Sequence, residues 1–161
     1  MRLIEDKIKP PGELRNITLK FKKQGKKIAF TNGCFDILHY GHVIYLQKAK
    51  GVSNILVVAL NSDSSIRRIK EKGRPIVKLE NRLKTIAALE SVDFVTYFTQ
   101  DTPLELIKLL KPDILIKGGD WDKNKIVGRD IVQAYGGRVI SLPYIKGQSS
   151  SKIIEKIGKN L

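Results

Sequence analysis

Five short apolar runs rich in β-branched residues recur along the chain, separated by stretches with helical spacing, and this alternation narrows the possible folds more than any other feature. The runs are Lys27–Thr31 (KIAFT), Ile55–Leu60 (ILVVAL), Phe94–Phe98 (FVTYF), Ile114–Lys117 (ILIK) and Arg138–Leu142 (RVISL). Apolar residues spaced three and four apart predict helices over Glu13–Gln24, Gly41–Ala49, Leu79–Leu89, Pro103–Leu110 and Arg129–Tyr135. Thr102 is placed to cap the Pro103 helix, with proline at its first position, and Gly136 and Gly137 close the Arg129 helix. The Pro10-Pro11 pair should interrupt regular structure ahead of the first helix. Strands that read as continuous apolar runs are buried on both faces, which parallel sheets achieve through right-handed helical crossovers. The expected fold class is therefore α/β: a doubly wound, Rossmann-like five-stranded parallel sheet with helices on both faces.

With 161 residues, 42% of them hydrophobic, the chain suffices for one well-cored domain and not for two. No apolar run approaches the ~20 residues of a membrane span, and the charged start Met1–Asp6 does not resemble a secretory signal. A soluble, cytoplasmic protein is expected. The single cysteine, Cys34, forms no internal disulfide and lacks partners for a zinc site. A net charge of +14 should attract polyanions: nucleic acid, anionic lipid or phosphorylated metabolites. The densest basic run, KFKKQGKK over Lys20–Lys27, reads as a solvated helix face. It lacks interleaved aromatics, and no zinc-finger or RNP motif accompanies it, so neither nucleic acid nor a membrane is the expected partner.

In doubly wound sheets ligands bind beyond the carboxyl ends of the strands, where helix N-termini present free amides. The segment following the first run, TNGCFDILHYGH, holds both histidines of the chain, His39 and His42. At i, i+3 they share a face of the next helix, and Gly41 between them lets a ligand approach the backbone. Two imidazoles, free amides and a helix dipole suit a phosphate and the charge that develops when a phosphoryl bond breaks. A third plausible metal ligand is missing, so metal binding is not the expectation there.

These residues carry a resemblance. HYGH matches the H-x-G-H signature of the nucleotidylyltransferase superfamily, and VVALNSD, RPIVKLENR, ALESVDFV, DTPLELI, KGGDW and GGRVISLPYIKGQSSSKIIEKI are similar to the ADP-heptose synthases, which are D-glycero-β-D-manno-heptose 1-phosphate adenylyltransferases of lipopolysaccharide core assembly. The resemblance runs from about Lys26 onward and implies one nucleotidylyltransferase domain over residues 1–161, with 1–26 an N-terminal extension and helix. It implies transfer of AMP from ATP to a heptose 1-phosphate with Mg²⁺, giving ADP-heptose and pyrophosphate. A homodimer is expected by the same analogy, and a separate sugar kinase, since this length has no room for the fused kinase of some relatives. Glycerol-3-phosphate cytidylyltransferases and FMN adenylyltransferases share the motif and remain alternatives, with a basic nucleic-acid-binding protein more distant.

By resemblance His39 and His42 act on the triphosphate, His42 at the transition state. Nucleotide or phosphate binding extends to Thr31, Asn32, Gly33, Cys34, Phe35 and Gly41, to Gly119 and Asp120 of KGGDW, and to Ser149, Ser150 and Ser151, which stand where the family has hydroxyls before its last helix. Serines there also cap helices. Trp121 can stack on a base or cap the core. Cys34 reads as a packed small residue, not a nucleophile. The segment NSDSSIRRIKEKGRP looks flexible, and Lys70 is its choice for a cation closing over phosphates. Asp36 and Asp63 can hydrogen-bond sugar hydroxyls or help hold Mg²⁺, with turn capping the alternative for Asp63; Arg82 can bridge a phosphate or cover a helix face. No dedicated metal cage is visible.

Overall fold

A computed structural model describes residues 3–119, 125–143, 145 and 149–159. Its five strands are β1 (Ile28–Gly33), β2 (Ile55–Asn61), β3 (Phe94–Phe98), β4 (Ile114–Gly118) and β5 (Arg138–Leu142). The helices are α1 (Ile4–Lys7), α2 (Pro11–Lys23), α3 (Tyr40–Gly51), α4 (Asp63–Ile69), α5 (Leu79–Ala87), α6 (Leu104–Leu110), α7 (Arg129–Ala134) and α8 (Ser150–Lys159). Every strand pairing is parallel and the order is β3-β2-β1-β4-β5. The chain winds outward from β1 in one direction to β3, then returns to β4 on the other side. Ligand crevices open where the winding reverses, here between β1 and β4.

Period-two alternation assigns side chains to two cores. Phe30, Val57, Ala59 and Leu115 face one layer, packed on Leu14 of α2, Leu106, Ile107 and Leu110 of α6, and Val132 of α7. Ala29, Leu56, Val58, Leu60 and Ile116 face the other, with Leu46 and Ala49 of α3 and Leu83, Ile86 and Ala87 of α5. Both faces of the sheet are therefore covered, as the apolar runs require.

Local differences from the sequence reading have physical causes. Helix α2 begins at Pro11, because proline at the first helical position forfeits no hydrogen bond; Pro10 is the N-cap. Thr102 does not cap α6: the N-cap is Pro103, whose carbonyl accepts from Ile107 N at 2.9 Å. The segment after β2 is ordered into α4. Ser62 Oγ accepts from Ser65 N, while Ser65 Oγ donates to the Gln100 carbonyl at 2.7 Å and Ile66 is fully buried. The N-terminal segment adds to the sheet edge through an Ile8–Val95 bridge, with Lys9 N donating to Val95 O at 2.9 Å.

Candidate functional site

At the carboxyl ends of β1 and β4 lies a cleft of about 760 Å³. Asn32, Gly33 and Cys34 line it from β1 and the turn beyond, Lys117 and Gly118 from β4, and His39, Gly41 and His42 from the start of α3. Gly33 makes the turn possible, since a Cβ there would stand 2.9 Å from the Phe35 ring. Phe35 itself turns the chain at φ 46° and buries its ring beside His42, centroids 5.1 Å apart.

The two imidazoles stack with centroids 3.8 Å apart and planes 23° from parallel. His39 is the N-cap of α3, and its carbonyl accepts from His42 N at 2.9 Å and Val43 N at 3.3 Å. Burial lowers the pKa of His39; burial, then the neighbouring His39, lowers that of His42 to about 4. Two stacked imidazolium ions would repel, so burial and mutual repulsion both favour the neutral rings. Nδ1 of each ring is buried with no hydrogen-bond partner among the described residues. A buried ring nitrogen without a partner is costly in the free protein. Tyr40 and Gly41, the first residues of α3, have amides ahead of the helical ladder, beside the rings.

Three residues assigned to sugar phosphate do other work. Asp36 is 3% exposed and wholly engaged: Arg74 Nε donates to it at 2.7 Å, and Ile76 N and Val77 N at 2.9 and 2.8 Å. Its carboxylate, though at the cleft wall, clamps the 74–77 loop to the end of β1. Arg82, 1% exposed, does not line the cleft. Its guanidinium donates to the carbonyls of Val77, Cys34 and Asn61 at 2.9, 2.7 and 2.9 Å and to Asp63 Oδ1 at 2.7 Å. One planar fork thus ties α5 to the ends of β1 and β2, and Asp63 balances its charge. From the sequence Arg82 could bridge a phosphate or cover a helix face; its burial follows from loops that only tertiary contact brings over it.

Of the remaining candidates, Thr31 lies behind the site, fully buried, its hydroxyl 2.6 Å from Tyr45 Oη. Cys34 stands in the cleft as a partly buried free thiol, and burial raises its pKa, so it is no nucleophile at pH 7. Lys70 lines the cleft as the exposed C-cap of α4. Gly119, at φ +99°, is buried with its amide donating to Leu142 O at 2.7 Å and its carbonyl accepting from Ser141 Oγ; it ties β4 to β5 and does not line the cleft. Asp120 and Trp121 lie outside the described residues. Ser149 Oγ accepts from Lys152 N at 3.2 Å, a helix cap, and Ser150 Oγ donates to Ile37 O at 3.0 Å, docking α8 onto the loop before α3. Those two serines and Ser151 line the same cleft as the histidines.

The sequence reading passed over Lys117, Tyr45 and Asn61, all of which line the cleft, as does Arg74 of the cationic segment after β2. Lys117 had a visible signal, a lysine closing an apolar strand immediately before two glycines. Its Nζ donates to Asn32 Oδ1 at 2.6 Å, and burial lowers its pKa to about 8.

A family model for cytidylyltransferase-like proteins matches residues 30–156. The chain belongs to this cytidylyltransferase-like family. The cytidylyltransferase-like chain is 50% identical over 153 residues to the bifunctional protein HldE of Citrifermentans bemidjiense, and 50% identical over 153 residues to that of Geobacter sulfurreducens. Each match covers 95% of this chain and 31% of the relative, so the chain spans about a third of the length of these relatives. Among solved structures, the lipopolysaccharide core biosynthesis protein of Thermoplasma volcanium is similar at TM-score 0.62 and 28% identity, covering 77% of this chain and all of that one. The pantoate-β-alanine ligase of Francisella tularensis shares the fold at TM-score 0.62 and 17% identity, covering 94% of this chain and 77% of that one.

Two further properties bear on this cytidylyltransferase-like cleft. No group of three or more His, Cys, Asp or Glu side chains converges to hold a metal among the described residues. Asp36 and Asp63 are paired with Arg74 and Arg82, each at 2.7 Å. No helix among the described residues is long and apolar enough to cross a membrane.

Proposed function

We propose that the chain transfers AMP from ATP to D-glycero-β-D-manno-heptose 1-phosphate, releasing pyrophosphate, in lipopolysaccharide core synthesis. What supports it above all is the stacked His39–His42 pair lining the cleft beyond β1, beside the first amides of α3. Similarity to the HldE relatives and to a lipopolysaccharide core biosynthesis protein also supports this reading.

The attacking atom is a phosphate oxygen of the sugar 1-phosphate. It is already ionised near neutral pH because the second phosphate pKa is about 6, so no general base is needed. A new bond forms from that oxygen to the α-phosphorus, the bond from the α-phosphorus to the bridging oxygen breaks, and pyrophosphate leaves. The residues align two polyanions and spread the developing charge. His39 and His42 take that charge through hydrogen bonds to phosphoryl oxygens, with the α3 amides beside them, while Ser150 and Ser151 and the cation of Lys70 border the same space. Mg²⁺ enters as the ATP complex, held by phosphate oxygens, and belongs to the substrate. The protein acts in the cytoplasm, where ATP is available, and as a homodimer by analogy.

The family description favours one alternative, a cytidylyl transfer from CTP. Pyrophosphate release separates the two: wild-type protein with Mg²⁺ is given ATP and heptose 1-phosphate, and in parallel CTP and glycerol 3-phosphate. Release in the first mixture alone is expected; release in the second alone replaces the adenylyl reading.

A further inference from the structure

Three cations among the described residues border the cleft, and they differ in how they are balanced. Arg74 is paired with Asp36 at 2.7 Å, and Lys70 is exposed to solvent. Lys117 has neither a carboxylate partner among the described residues nor full solvent. It is the penultimate residue of β4, the strand beside the winding reversal, and its ammonium donates across to Asn32 Oδ1 of β1. A neutral amide oxygen is a weak counterpart for a recessed cation, because burial removes hydration that one dipole does not replace. The fold thus holds an under-compensated ammonium at the point where ligands of such sheets enter.

We propose that Lys117 is a phosphate anchor, whose missing counter-charge is supplied by a phosphoryl oxygen of substrate entering between β1 and β4. The charges around it fit an anion. The neutral thiol of Cys34 stands on the turn after β1, His39 and His42 at the start of α3, and Lys70 and Arg74 beyond α4. Among the described residues, the carboxylates at this cleft, Asp36 and Asp101, are taken up by Arg74 and Arg68. Identifying the phosphate as that of ATP or of the sugar rests on the adenylyl-transfer reading; the need for an anion does not. With a pKa of about 8, the free side chain is partly neutral above pH 8, and a bound phosphate pulls it back to the charged form, so binding takes up a proton there.

The test is titration calorimetry of wild type, Lys117→Met and Lys117→Arg with three ligands: an ATP analogue with a methylene between its α- and β-phosphates, the heptose 1-phosphate, and inorganic tripolyphosphate, at pH 7 and pH 9. Losing a charge-assisted hydrogen bond should weaken at least one ligand about tenfold or more in Lys117→Met. The ligand affected identifies the source of the phosphate. Wild-type affinity should fall from pH 7 to pH 9, and Lys117→Arg should bind with little pH dependence because its guanidinium does not titrate. The thermal midpoint of Lys117→Met should be unchanged or higher, since methionine removes an unbalanced charge. A lower midpoint with affinities within twofold of wild type would make Lys117 a structural residue and overturn the proposal. Unchanged affinities beside normal pyrophosphate release overturn it while leaving adenylyl transfer standing. Tripolyphosphate binding weakened in Lys117→Met, without pyrophosphate release by wild type, leaves the anchor and removes the transfer reaction. No binding of any ligand by wild type overturns both.

Discussion

The two ends of the sheet are built on opposite rules. At the amino end each acid completes a neighbour's backbone. Asp93, just before β3, accepts from Leu56 N at the start of β2 at 2.7 Å and from Lys50 at 2.6 Å. Asp113, just before β4, accepts from Ile28 N at the start of β1 at 2.9 Å, with Lys22 and Lys27 near it. Tyr135 donates to the Pro112 carbonyl there, and burial, then Asp113, pushes its pKa up to about 12, so it stays a donor. At the carboxyl end, among the described residues, two imidazole nitrogens have no partner and an ammonium has only an amide. Polar groups satisfied within the fold stabilise it, and the cleft end keeps its imidazoles and ammonium free of carboxylate partners among the described residues. Arg82 is the exception that makes the contrast useful, a fully satisfied cation beneath the unsatisfied end.

The largest expected effect tests that exception. Arg82→Ala leaves three carbonyls and Asp63 without a donor, and removing one partner of a buried pair costs about 3–5 kcal/mol, read as a lower urea midpoint. A loss below about 1 kcal/mol, within the range of exposed pairs, would break the claim that Arg82 is structural. Next, His42→Ala should lower pyrophosphate release by about 10²–10³-fold, as loss of one transition-state donor does, while the fold survives. Near-native turnover would remove His42 from the chemistry.

Asp113→Ala should cost about 1–3 kcal/mol by stripping the partner from Ile28 N, with turnover per folded molecule unchanged. If instead turnover fell and stability held, the division between the two ends would fail. The smallest effect is on pH dependence. His42 has a folded pKa of about 4, below its ordinary value of 6.5, so the unfolded chain binds more protons between those values. Stability should therefore decline as pH falls from about 6.5 toward 4, and His42→Ala should flatten that limb of the urea-midpoint profile. A saturating triphosphate should do the same, by raising the folded pKa.

Much of the site was legible because its first part is local. TNGCFDILHYGH is one strand, one turn and one helix start, so the histidines, Gly33 and Gly41 could be placed together without distant contacts. Asp36 was legible as a site residue only by position, since Arg74 and the Ile76 and Val77 amides that consume it come from about forty residues away. Arg82 misled for the same reason, and Lys117 was passed over because nothing adjacent in sequence announces that its neighbour is Asn32. The lid-like reading of the segment after Asn61 weighed its cations and missed the Ser62 cap and the buried Ile66, which make part of it helix.

The sequence by itself determined the strand count, the parallel winding and the end of the sheet where chemistry belongs, because period-two and period-3.6 patterns and turn residues are local properties of the chain. Only the tertiary structure decided which charged groups are balanced internally and which are held open for a ligand. Charge compensation depends on distance through space, and Asp36, Arg82 and Lys117 each meet a decisive neighbour that is remote along the chain.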